Sequence, residues 1–114
     1  MPSDSALPSK LFQPLHLGAL TLQHRIVLAP LTRFRANDAH EPQDVTVEYY
    51  AQRASVSGTL LICEPTFVAP EAGGYDNVPG VWSDAQIAQW KKVGLASMAR
   101  LRVHDSASSG CDCA

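Results

Sequence analysis

Two short stretches hold the residues with chemical reach: Pro30, Leu31, Thr32, Arg33, Phe34 and Arg35, which close one apolar run, and Glu64, Pro65, Thr66 and Phe67, which close another. In parallel α/β sheets, ligands settle at the carboxyl ends of strands, where loops vary above a rigid scaffold. Pro30 sets the backbone as it leaves the first run, and Thr32 offers a hydroxyl and an amide to a planar polar ligand. An ordinary strand-ending turn explains the same residues. Arg33 and Arg35 have the charge to grip an anion, and equally the everyday role of loop arginines, solvated or paired with local acids. Glu64 is placed as a general base by position, with capping or ion pairing as the competing role.

Other side chains point away from several chemistries. His16, His24, His40 and His104 lack the spacing of metal ligands and stand in no Ser or Cys nucleophile arrangement. Cys63 reads as a small buried apolar residue, and an odd total of three cysteines without a spacing framework argues against a disulfide-stapled secreted domain. Cys111 and Cys113 supply two soft ligands where a structural zinc site takes four, with His104 the only other candidate nearby, so no metal is expected. Tyr49 and Tyr50 read as helix packing rather than stacking platforms. The glycines at 73, 74 and 80 follow neither the dinucleotide-binding nor the Walker spacing.

The elements that must position these residues follow from hydrophobic pattern. Short extended runs on either side of Gly18 predict a small hairpin leading into a strand at residues 25–29. That strand is continuously apolar, as a strand covered on both faces would be, and Pro30 ends it by removing a donor. After a polar loop, Asp44 is placed to cap a helix running to about Ser55, with Val47, Tyr50 and Ala54 on one face. Ser57 and Gly58 close it, and "TLLICE" reads as a second strand. Strand, helix, strand within about 40 residues is a βαβ crossover, which makes the two strands parallel neighbours. A long loop at 65–82 then meets a capping box, Ser83 with Gln86 three residues on, opening a helix through Ile87, Trp90 and Val93. Gly94 interrupts its apolar face, yet "LASMARLRV" can carry the helix onward through Leu95, Met98 and Leu101.

Composition bounds the answer more loosely. With 114 residues, 46% hydrophobic and 18% charged, the chain is the size of one ordinary globular domain. The formal charge of -2 is scattered, which leaves no electrostatic footprint for nucleic acid or an anionic membrane. The longest strongly apolar run, at 60–63, is too short to span a bilayer, and "MPSDSALPSK" lacks the apolar stretch of a signal peptide, so a cytoplasmic protein is expected.

Taken in order, "LFQPLHLG", "HRIVLAPLTRFRA", "EYYAQRAS", "GTLLICEPTF", "APEAGGYDNVPGVWS" and "QWKKV" resemble the opening of the Old Yellow Enzyme family. The resemblance runs in one register over residues 11–93 and is nearest to fungal members, a group that includes ene-reductases of secondary metabolism such as ergot alkaloid biosynthesis. It implies a (β/α)8 TIM barrel that holds FMN at its C-terminal face, takes hydride from NAD(P)H and reduces the activated C=C bond of an enone or enal. It also implies that Pro30, Leu31 and Thr32 lie along the flavin, with the Thr32 hydroxyl at the carbonyl edge of the isoalloxazine. Pro65 falls at a second flavin contact, normally a small residue, where a proline removes an amide donor. Phe67 and Tyr75 fall on the substrate side.

A barrel of this type takes about 250 residues or more. The sequence therefore predicts an α/β N-terminal fragment, a hairpin plus about two βα units, bounded by a disordered segment at 1–10 and a divergent tail at 94–114. Missing from it are the glutamine after strand three, the His/Asn or His/His pair for the substrate carbonyl, the tyrosine proton donor and the loops that hold the FMN phosphate. From Gly94 on the tail leaves the family pattern, as a frameshift or a retained intron would cause. A truncated homologue that is inactive as written is the expectation. Its alternatives are a non-catalytic module that pairs through an open strand edge, with itself or a relative, and an incomplete gene model of an active FMN oxidoreductase.

Overall fold

The computed structural model describes residues 9–108, with side chains described through residue 99. A 3-10 turn at Lys10–Phe12, capped by Ser9, leads into an antiparallel hairpin of β1 (Leu15–Leu17) and β2 (Leu20–Leu22). Gly18 takes φ +58 in the two-residue connection, a left-handed conformation that glycine adopts without steric cost. His16 and Thr21, directly opposite each other, share a hydrogen bond of 3.2 Å across the pair.

The βαβ unit follows as expected in kind. β3 (Val27–Leu28) pairs in parallel with β4 (Leu60–Leu61), and α1 (Asp44–Arg53) makes the crossover. Both strands are shorter than the apolar runs that encode them. Upstream, the Ile26 amide donates to His24 Nδ1 (3.1 Å) instead of to a neighbouring strand. Downstream, the Leu31 amide donates to Ala29 O (2.9 Å), a tight turn centred on Pro30. The first strand is also not covered on both faces: Ile26 is 46% exposed and Val27 39%. Among the described residues the sheet has only these two strands, and part of its apolar surface stays open. Cys63, expected to be buried, is exposed for the same reason.

α1 starts differently from its sequence signal. Gln43 occupies the cap position with no side-chain cap hydrogen bond, and Asp44 is the first helical residue, where its charge complements the helix dipole. Thr46, Tyr50, Ala51 and Ala54 form the buried face. The second helix, α2 (Asp84–Ser108), opens on the anticipated capping box: Gln86 N donates to Ser83 Oγ (3.2 Å) and Ser83 N to Gln86 Oε1 (3.1 Å). It continues unbroken past Gly94. α1 packs on α2, with Tyr50 and Trp90 ring centroids 6.2 Å apart.

The core lies between these helices and the two long loops, and includes Ala36, Tyr50, Ala54, Val78 and Val93. Gln86 is almost fully buried because it ties three segments together. Its Oε1 accepts from Trp82 N (2.9 Å) and Ser83 N, and its Nε2 donates to Ala39 O (3.0 Å).

Candidate functional site

The register Val27↔Leu60 and Leu28↔Leu61, extended by Ile62 N donating to Leu28 O (3.1 Å), sends both strands out of the sheet on one side. Pro30, Leu31 and Thr32 therefore emerge beside Glu64, Pro65 and Thr66. The turn at Pro30 commits the Leu31 amide to Ala29 O and leaves the Leu31 side chain 54% exposed. Thr32 is half-buried, and among the described residues neither its amide nor its hydroxyl has a hydrogen-bond partner. A donor and a donor-acceptor are thus presented together at a strand end, which suits the polar edge of a flat ligand. Pro65 is exposed and has no N–H to offer.

Glu64 joins the two strand ends. Its carboxylate Oε2 accepts from Arg33 N (3.0 Å), and its own amide donates to Tyr50 Oη (2.8 Å). Burial pushes the Glu64 carboxyl above the usual carboxylate range, opposed by the Arg33 amide bond and the Arg33 guanidinium. Burial likewise pushes the Tyr50 hydroxyl up to about 12, with the Glu64 amide bond opposing it and the Glu64 charge adding to it. Both groups are held in place as hydrogen-bond acceptors, Glu64 through Oε2 and Tyr50 through Oη. The Arg33 guanidinium lies 5.6 Å from the centroid of the Tyr49 ring, which also has Arg53 at 3.6 Å and meets the Tyr50 ring edge-on at 5.2 Å. Tyr50 packs as expected, while Tyr49 receives two cations.

The residues expected on the substrate side meet different partners. Phe67 is half-buried, its ring 5.7 Å from that of His40, and its backbone bridges to Gly80 through Phe67 N to Pro79 O and Val81 N to Phe67 O, both 3.0 Å. Tyr75 is 71% exposed and meets Phe34 edge-on at 6.5 Å. His40, given no role by its sequence context, stands between Phe67 and Trp82 and donates from Nδ1 to Val78 O. A histidine at φ +57 is an uncommon backbone state held by these contacts; no spacing motif announces it. Among the described residues no group of three His, Cys, Asp or Glu side chains is placed to hold a metal, and no helix is long and apolar enough to cross a membrane. Cys111 and Cys113 lie outside the described residues.

Comparison with known proteins fits this geometry. The pattern of the NADH:flavin oxidoreductase / NADH oxidase family matches residues 10–99. Over 85 residues the chain is 58% identical to the NADP-dependent oxidoreductase lnbE of Aspergillus flavus, covering 75% of this chain and 22% of that protein. It is also 58% identical over 85 residues to the chanoclavine-I aldehyde reductase fgaOx3 of Penicillium roqueforti, covering 75% and 23%. Among solved structures, the old yellow enzyme homologue from Zymomonas mobilis superposes with a TM-score of 0.73 at 45% identity, over 80% of this chain and 25% of that one. The hairpin and two βα units are thus the opening portion of an Old Yellow Enzyme TIM barrel, and the chain spans less than a third of the length of these relatives.

FMN is the cofactor this family implies, and the uncommitted amide and hydroxyl of Thr32 fit the polar edge of its ring system. Pro65 has no N–H to donate to such a group. On the match over residues 10–99 and the shared fold, the chain belongs to the NADH:flavin oxidoreductase / NADH oxidase family.

Proposed function

We propose that this chain carries the first part of the flavin site of an NAD(P)H-dependent ene-reductase, built from Pro30, Leu31, Thr32 and Pro65, with Phe67 and Tyr75 on the substrate side. The observation that carries the reading is the side-by-side exit of β3 and β4, which presents the free amide and hydroxyl of Thr32 on a fixed frame. Bound FMN would supply the hydride relay from NAD(P)H to the activated C=C bond of an enone or enal. The chain's own residues hold and orient one edge of the flavin. The anchors for the FMN phosphate and for the substrate carbonyl are not among these 114 residues, so the 114-residue chain alone is proposed to be inactive. A place in the cytoplasm, in fungal secondary metabolism of the ergot alkaloid type, belongs to the same proposal.

Titrating the purified chain with FMN, followed through the visible flavin band, tests this. The expected result is saturable binding with a perturbed spectrum that Thr32→Val weakens, and no turnover of an enone with NADPH. An unperturbed band at every FMN concentration, or a Thr32→Val curve that overlays the parent, would overturn the flavin assignment; enone reduction by the 114-residue chain would overturn the inactivity. A second reading, a module that pairs along its open sheet edge, is favoured by the exposure of Ile26, Val27 and Ile62 in and beside the sheet.

A further inference from the structure

The ladder between β3 and β4 ends at the bond from Ile62 N to Leu28 O. Beyond it Pro30 has no donor, the Leu31 amide turns back on Ala29, and Pro65 has no donor either. Backbone pairing therefore stops before the segments that face a ligand. Among the described residues, the hydrogen bond that joins them further out comes from one side chain. Glu64, 4% exposed, is fixed at its amide by Tyr50 Oη, and its carboxylate reaches across to Arg33 N, one residue past Thr32. Tyr50 is itself buried on α1 and packed against Trp90 of α2, so the anchor is tied to both helices.

The atom that Glu64 engages decides between two roles. If its purpose were to neutralise charge, the carboxylate would pair with a guanidinium; its hydrogen bond is instead to the main chain at Arg33, whose guanidinium faces Tyr49. A buried carboxylate that accepts a main-chain N–H fixes where the backbone runs, whatever side chain that residue bears. A cavity of about 100 Å3 lies beside it, lined by Arg33, Arg35, Thr46 and Tyr49, so the loop is not closely packed against α1 there and its main chain depends on the Glu64 bond for its position.

We propose that Glu64 is a positioning residue that locks the loop carrying Thr32 to the end of β4 and so sets the spacing between Thr32 and Pro65. The assignment of those two residues to flavin rests on the reading above; the lock itself does not.

Amide hydrogen exchange by NMR on the full 114-residue chain, with parallel FMN titrations, tests the lock. In the parent the Arg33 amide should exchange slowly. Glu64→Gln keeps an acceptor of the same length and should leave Arg33 protection and FMN affinity within about two- to three-fold of the parent. Glu64→Leu should speed Arg33 exchange about ten-fold and weaken FMN binding several-fold, while α1 amides stay protected. If Glu64→Leu also strips protection from α1, Glu64→Asp replaces it: one methylene short, it should release the Arg33 amide with the charge retained. An unprotected Arg33 amide in the parent, or protection that survives both Leu and Asp, overturns the lock. If FMN leaves no spectral trace in any variant, the flavin reading falls while Arg33 exchange still decides the lock.

Discussion

Glu64 illustrates how burial at one side chain sets a property that pH can read. Its carboxyl is raised by burial, and the groups around it, Arg33, Arg35, Tyr49, Tyr50 and Cys63, do not reverse that direction. Below the unfolded-state value of about 4.3 both states hold the proton. Between that value and the raised folded one only the folded state does, so stability falls as pH rises through this window and levels off above it. Urea unfolding in small pH steps from the acid side to neutrality should show this decline in the parent and lose it in Glu64→Gln; equal slopes in the two proteins would refute it. The position of Glu64 at a strand end was legible in the sequence, which left a general base and a capping or ion-pairing role side by side. Its partners were not, because a hydrogen bond to Arg33 N and another from its amide to Tyr50 Oη join residues 31 and 14 positions apart through the fold. The same holds for His40, whose ring contacts and left-handed backbone depend on loops that meet only after folding.

Elements were more legible where their signals are local. The capping box at Ser83 and Gln86 forms as its spacing requires, and the turn glycine at 18 sits in the hairpin it announces. Asp44 shows the limit of such signals: Gln43 takes the cap position, and the aspartate moves into the first turn, where dipole and charge agree. Strand ends were overestimated because apolar runs at 25–29 and 59–64 are written for more neighbours than one strand each supplies. α2 offers a direct test at this scale. Gly94 is helical, and a Cβ built there meets nothing within 4 Å, so Gly94→Ala removes backbone freedom from the unfolded chain with no clash in the fold. The substitution should raise stability by about 0.5–1 kcal/mol, read as a higher urea midpoint at unchanged slope. A lower midpoint would mean that the helix does not run through residue 94.

Across the whole molecule, the family motifs made the fold class legible, whereas the surfaces left open depend on what surrounds the sheet. Apolar clefts flank it on both sides: one of about 450 Å3 bounded by Phe12, Val27, Leu28 and Val56, the other of about 560 Å3 between Leu61 and Cys63 and the α2 residues Trp90, Val93 and Met98. In and beside the strands, Ile26, Val27 and Ile62 are 39% to 46% exposed. An uncovered two-stranded sheet of this kind offers another chain both apolar surface and strand edges. The 114-residue chain should therefore associate with itself, seen in sedimentation velocity as a mean sedimentation coefficient that rises with concentration. Placing lysines at Ile26 and Ile62 together should suppress that rise, since a charge on an edge must be desolvated before another strand can pair there. Helix content by circular dichroism should be unchanged, because neither residue belongs to α1 or α2. A concentration-independent monomer would remove the case for edge pairing. Association that persists in the double lysine variant would move it from the strands to the clefts.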